Sequence, residues 1–129
     1  MLYLYIGKNK KTKEKEAQSL ASELGQKIHR IDLNRVMSKY IGETEKNLAK
    51  LFIKAEKQHW ILFFDEADAL FGKRSAIKNS HSRHENTETE KLLKYIERYR
   101  GIAILSTNNK SHFSEKFKPY FNQIHDFKH

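Results

Sequence analysis

The sequence predicts an α/β domain in which helices cover a mainly parallel β-sheet. Short apolar segments alternate along the chain with amphipathic segments of ten or more residues, which is the pattern of strands joined by helical crossovers. The most apolar segment, residues 60–64, shows no polar alternation, as expected of a central strand covered on both faces. A length of 129 residues suits one domain, so we predict a single domain over residues 1–129.

The first unit is a strand, a basic loop and a helix. Leu2–Ile6 is an apolar run closed by Gly7 and predicts a buried strand that ends in a turn. After the basic segment we expect a helix from Lys13 to a cap at Gly25. Its apolar residues recur at i, i+3, i+4 and i+7, namely Ala17, Leu20, Ala21 and Leu24.

The strand and helix pattern then repeats along the chain. Residues 27–33 predict a second strand, and the segment after Gly42 predicts a second helix on the apolar spacing of Leu48, Leu51, Phe52 and Ala55. The central strand 60–64 follows and ends at Asp65 and Glu66. The later elements are a polar loop (72–86), a helix (88–100), a strand (102–105), a short helix (114–121) and a last strand (124–127).

Composition limits the possible classes of protein. Without cysteine there is no disulfide, thiol nucleophile or cysteine zinc site, and no apolar run approaches the roughly 18 residues of a membrane span. We therefore expect a soluble cytoplasmic protein. The net charge of +9 raises nucleic acid as a partner, but the lysines are spread over several predicted helices without an aromatic platform, which favours solvated surfaces. His81 and His84 lie in the polar loop with no third ligand near them, which favours solvated histidines over a metal site.

Polar residues with chemical potential follow three of the predicted strands. Ligands of open α/β sheets bind beyond the carboxyl ends of the strands. Gly7 and Lys13 fit the first glycine and the lysine of the phosphate-binding pattern G-x-x-x-x-G-K-S/T, whereas Thr12 replaces its second glycine and Glu14 its hydroxyl residue.

The acidic pair after the central strand suits a magnesium-dependent NTPase. Asp65 would hold the hydrated metal, Glu66 would act as general base toward water, and Asn108, after a neighbouring strand, would orient that water. In the alternative interpretation Asp65 only caps a helix over residues 66–71.

Two longer segments resemble the AAA-type ATPases, in the form common among bacterial members. These are residues 65–74, DEADALFGKR, and residues 38–48, SKYIGETEKNL. The resemblance implies a P-loop NTPase-like three-layer sandwich with a five-stranded sheet, ATP and Mg²⁺ as cofactors, and ATP hydrolysis. It also implies that Asn108 is the sensor asparagine and that Tyr40 lies on the loop facing the pore of a hexamer.

The phosphate loop departs from that family. A register without gaps, counted back from Gly25, places Lys13 at the motif lysine; the rival pair Lys11 and Thr12 leaves only three residues after Gly7 where five are needed. We expect Thr12 to require a costly positive φ. We expect Glu14 to lie in the first helical turn, where it would repel a phosphate.

We expect other family features to be missing. Pro119 and Tyr120 stand where the family carries its arginine fingers, and we expect a core domain without the family's preceding adenine-contact segment and helical lid. We therefore expect a core domain that binds ATP with magnesium weakly and hydrolyses it slowly or only with a protein partner or AAA homologue, without forming a hexamer alone. The alternative is a catalytically silent AAA-like module for protein interaction.

Overall fold

Five parallel strands form one sheet in the computed structural model, in the order β2-β3-β4-β1-β5. The structure describes residues 1–33, 41–65, 67, 90–108 and 115–127. In chain order the elements are β1 (Leu2–Ile6), α1 (Lys10–Leu24), β2 (Ile28–Asp32), α2 (Ile41–Gln58), β3 (Ile61–Asp65), α3 (90–98), β4 (Ala103–Thr107), a 3₁₀ helix (Glu115–Tyr120) and β5 (Gln123–Asp126). The predicted α/β class with a parallel five-stranded sheet is confirmed.

Apolar side chains fill both faces of the sheet. On one face α2 and α3 pack against alternate strand residues, in a cluster that includes Leu48, Phe52, Phe64, Leu92 and Leu93. On the other face α1 contributes Ala17 and Ala21, which pack with Tyr5, Phe63 and Ile104. Successive residues of β3 are thus buried on opposite faces of the sheet, which explains why this strand has no polar alternation.

The carboxyl ends of the parallel strands meet at one edge of the sheet. Ile6 is the register partner of Thr107, and Asp32 that of Asp65. This brings together the start of α1, the end of β3 and Asn108, which directly follows β4. We call this region the carboxyl edge.

Candidate functional site

The buried Lys13 side chain connects α1 to the carboxyl edge. Lys13 is 2% exposed, and its Nζ donates a hydrogen bond of 3.0 Å to the carbonyl oxygen of Thr107. The same oxygen accepts the backbone N–H of Gly7 at 3.0 Å. The two residues that match the phosphate-binding pattern are therefore joined through the end of β4.

Gly7 is required by the close approach of the segment after β5. A Cβ atom at this position would lie 2.8 Å from the carbonyl oxygen and 3.1 Å from the Cβ of Phe127. Since the first contact is with backbone, relief would require the end of β1 or of β5 to move.

We expect Gly7→Ala to lower the free energy of unfolding by about 1–3 kcal/mol, the usual cost of overpacking. Urea denaturation measures this change, and Ser22→Ala on the exposed side of α1 is the matched control. A Gly7→Ala protein as stable as the control would contradict the close approach.

Asn9 sets the start of α1. Its side-chain oxygen accepts the Thr12 N–H at 3.1 Å, and its carbonyl oxygen accepts the Lys13 N–H at 3.4 Å. The helix therefore begins at Lys10, and the prediction that it starts at Lys13 is wrong. Asparagine is among the best N-cap residues, and the segment 10–13 contains no glycine to hold it in a loop.

The earlier helix start changes the roles of Thr12 and Glu14. Thr12 lies in the first turn, and among the described residues positive φ occurs only at Gly25 and His59. The predicted strain at Thr12 is therefore wrong. Glu14 is the fifth residue of α1, so its predicted place in the first turn is also wrong, and no acidic residue lies in that turn.

Ion pairs surround the carboxylate of Asp65. Its Oδ2 lies 3.3 Å from Nζ of Lys10 and 3.7 Å from Nη2 of Arg30. The same Nη2 atom of Arg30 donates to Oε2 of Glu14. The Asp65 side chain is 19% exposed, whereas those of Lys10 and Arg30 are more than half exposed.

Arg30 was not predicted as a site residue. The signal that could have indicated it is its position two residues before Asp32 in the predicted second strand. Arg30 is two residues before Asp32 on β2, so their side chains share a face of the sheet. Asp32 is the register partner of Asp65, and this register puts Arg30 on the face of the sheet where Asp65 lies.

The contacts of Asp65 do not fit the expected Mg²⁺ site. Mg²⁺ demands near-octahedral coordination by oxygen atoms, including several waters. Here the Asp65 carboxylate already faces two cationic side chains, Lys10 and Arg30, and both would have to move before a metal ion could bind its Oδ2. Nowhere in the described parts of the chain do three histidine or acidic side chains come together as a metal would need.

Of the other candidate residues, Asn108 alone lies in the part of the chain that the structure describes. Asn108 is exposed and directly follows β4, as predicted for a residue of the carboxyl edge. The buried Ala67 donates its N–H to the carbonyl oxygen of Ser106 at 3.0 Å, so Ala67 lies beside β4. Glu66 and Tyr40 lie outside the described residues, and their roles stay predictions.

A cavity of about 500 Å³ opens beside the ion pairs, between α1 and the strands β2 and β3. Phe63, Ala17 and Ile28 form its apolar part, and its polar lining includes Glu14 and Arg30. Arg30 can thus be reached by a solute from this side. None of the described helices is both long and apolar enough to cross a membrane.

Comparison with known proteins identifies AAA ATPases as relatives of this chain. The family model "ATPase family associated with various cellular activities (AAA)" matches residues 6–128. An uncharacterised AAA family ATPase of Sinorhizobium fredii is 41% identical over 96 residues, which cover 71% of this chain and 28% of that protein. Cell division protein C of Sulfolobus acidocaldarius is 32% identical over 110 residues, covering 78% of this chain and 29% of that protein. The chain thus spans less than a third of these relatives.

Solved structures match nearly the whole chain. The crystal structure of the FIGL-1 AAA domain has a TM-score of 0.71 and 23% identity, covering 98% of this chain and 42% of the other. The same domain in complex with ADP also has a TM-score of 0.71, with 22% identity and the same coverage. At this level of identity the likeness shows the fold alone.

Proposed function

Since the chain belongs to the AAA family of ATPases, we propose that it binds ATP weakly at the carboxyl edge, with Lys13 as the main phosphate ligand. The observation that carries this proposal is the placement of Lys13. Its ammonium is buried and fixed by the carbonyl oxygen of Thr107, directly at the end of β4. A phosphate bound here would meet a positive charge that is shielded from water, where electrostatic attraction is strongest.

Hydrolysis is the second part of the proposal. Glu66 would act as general base toward the attacking water, and Asn108 would orient that water. We assign Asp65 no metal in this scheme, because its contacts with Lys10 and Arg30 do not fit one. The chain should therefore hydrolyse ATP slowly by itself, or faster with a partner AAA protein that supplies cationic groups.

Lys13→Met is expected to weaken ATP binding at least tenfold, because the variant keeps the length of the side chain but removes its charge. Isothermal titration calorimetry measures the affinity, and phosphate release on the same samples measures hydrolysis. Lys57→Met, at an exposed position in the last turn of α2, is the matched control. Equal affinities of Lys13→Met and the wild type would contradict the role of Lys13.

A second candidate function is a catalytically silent AAA-like module that binds another protein. The cap at Asn9 favours it, because the N–H groups of Thr12 and Lys13 already have acceptors and are not free to bind a phosphate. The two functions predict different results in the same titration. Absence of ATP binding by the wild-type chain at millimolar concentration would support the silent module.

A further inference from the structure

The arrangement of acidic groups at the carboxyl edge calls for a positive charge. Asp32 and Asp65 are register partners at the ends of β2 and β3, so their side chains leave the sheet on the same side. Glu14 reaches the same region from α1, since it shares Nη2 of Arg30 with Asp65. Glu14 and Asp65 thus share one cation, and like charges held near each other repel unless a cation accompanies them.

Arg30 supplies this cation from within the chain. A guanidinium stays protonated at any physiological pH, and its fork of N–H donors suits carboxylates. Its Nη2 contacts Glu14 Oε2 and lies 3.7 Å from Asp65 Oδ2, and Lys10 Nζ approaches the same Asp65 oxygen at 3.3 Å. A divalent ion brought to Asp65 would therefore have to displace two side-chain cations.

We propose that the guanidinium of Arg30 occupies the cation position at the carboxyl edge. This edge therefore excludes divalent metal ions and binds nucleotide phosphates without a metal ion. The nucleotide part rests on the proposed function; the exclusion of metal does not. Arg30 can serve both purposes because the contacts described use one of its nitrogens, and the guanidinium carries five N–H donors. The cavity beside Arg30 gives a phosphate access to it.

The exposure of the two cations leaves room for a phosphate beside the ion pairs. Arg30 and Lys10 side chains are 52% and 59% exposed, so a ligand can reach part of each side chain while its pairing with a carboxylate remains. A phosphate can then accept hydrogen bonds from either cation without replacing the carboxylates. Arginine and lysine commonly stabilise phosphate groups in this way.

The first experiment uses Mn²⁺ alone as the probe. Mn²⁺ binding to the whole chain is measured by electron paramagnetic resonance for the wild type, Arg30→Met, and Arg30→Met combined with Asp65→Asn. We expect Arg30→Met to bind Mn²⁺ at least tenfold more tightly than the wild type, and the added Asp65→Asn to abolish the gain. Arg98→Met, at an exposed position on α3, is the control and should behave as the wild type.

Two results of this experiment would overturn the exclusion of metal. One is no gain in Mn²⁺ affinity for Arg30→Met while its thermal melt shows a folded protein; the other is a gain in Arg30→Met that persists when Asp65→Asn is added. Neither result depends on ATP binding, so both leave the proposed function standing.

The second experiment is an ATP titration of the wild type in EDTA and in excess Mg²⁺. We expect dissociation constants within about threefold of each other. Binding that becomes tenfold or more tighter with Mg²⁺ would overturn metal-free binding while the proposed function stands. Absence of binding under both conditions would overturn the proposed function and the nucleotide part of this inference together, and the Mn²⁺ results would still decide the role of Arg30.

Discussion

Replacing Thr12 by glycine and Glu14 by threonine together is expected to raise the affinity for ATP about tenfold, which corresponds to about 1.4 kcal/mol. Glycine within a helix costs about 1 kcal/mol relative to alanine, so Thr12→Gly should loosen the first turn of α1. A looser first turn frees the backbone N–H groups that Asn9 now engages. Glu14→Thr removes a negative charge near the phosphates and releases Arg30.

The control for this double variant is Ser19→Gly combined with Glu23→Thr, which makes the same kinds of change at exposed positions farther along α1. Calorimetric titration of ATP compares the two proteins, and circular dichroism checks that both are folded. An affinity no higher than that of the control would mean that the phosphate-loop register based on Lys13 is incorrect.

Phe64→Ala is expected to lower the free energy of unfolding by about 3–5 kcal/mol, as is usual for removing a buried phenylalanine. Phe64 lies on the central strand β3, is fully buried, and stacks on Phe52 of α2 with ring centroids 6.4 Å apart. Small domains have a total stability of about 5–15 kcal/mol, so this loss would remove a large share of the free energy of unfolding.

Urea denaturation measures the effect of Phe64→Ala. Phe64→Leu, which keeps most of the volume, should cost less than about 1.5 kcal/mol. Ile53→Ala removes apolar atoms from a residue that is 60% exposed, and it should change stability by no more than about 0.5 kcal/mol. A cost of Phe64→Ala similar to that of Ile53→Ala would contradict the assignment of β3 to the centre of the core.

The strands could be predicted from the sequence because buried strands consist almost entirely of apolar residues. The run at residues 60–64 predicted β3 to within one residue at each end, since a strand covered on both faces admits few polar side chains. The end of α1 was equally clear, because Gly25 has the positive φ of 67° that a left-handed cap requires.

The start of α1 could not be predicted in the same way. The spacing of Gly7 and Lys13 favours a loop, whereas Asn9 favours a helix cap, and the sequence alone does not weigh one against the other. In the structure Asn9 caps the helix, since its oxygen atoms accept the N–H groups of Thr12 and Lys13.

The ion pairs at the carboxyl edge depend on tertiary placement. Glu14, Arg30 and Asp65 lie on three different elements, and Arg30 reaches both carboxylates only because β2 pairs with β3 in one particular register. Charged residues at such separations give no periodic signal in the sequence. The pairing of Glu14 with Arg30 could not be predicted for this reason.

The most direct test of the central claim, that the positions of the phosphate loop are folded into α1, is the set of backbone ¹³Cα chemical shifts of residues 8–14 in the nucleotide-free protein. Helical shifts beginning at Lys10, with Asn9 outside the helix, are the predicted result. Shifts typical of irregular backbone through Thr12, with helical values only from Lys13, would contradict the claim.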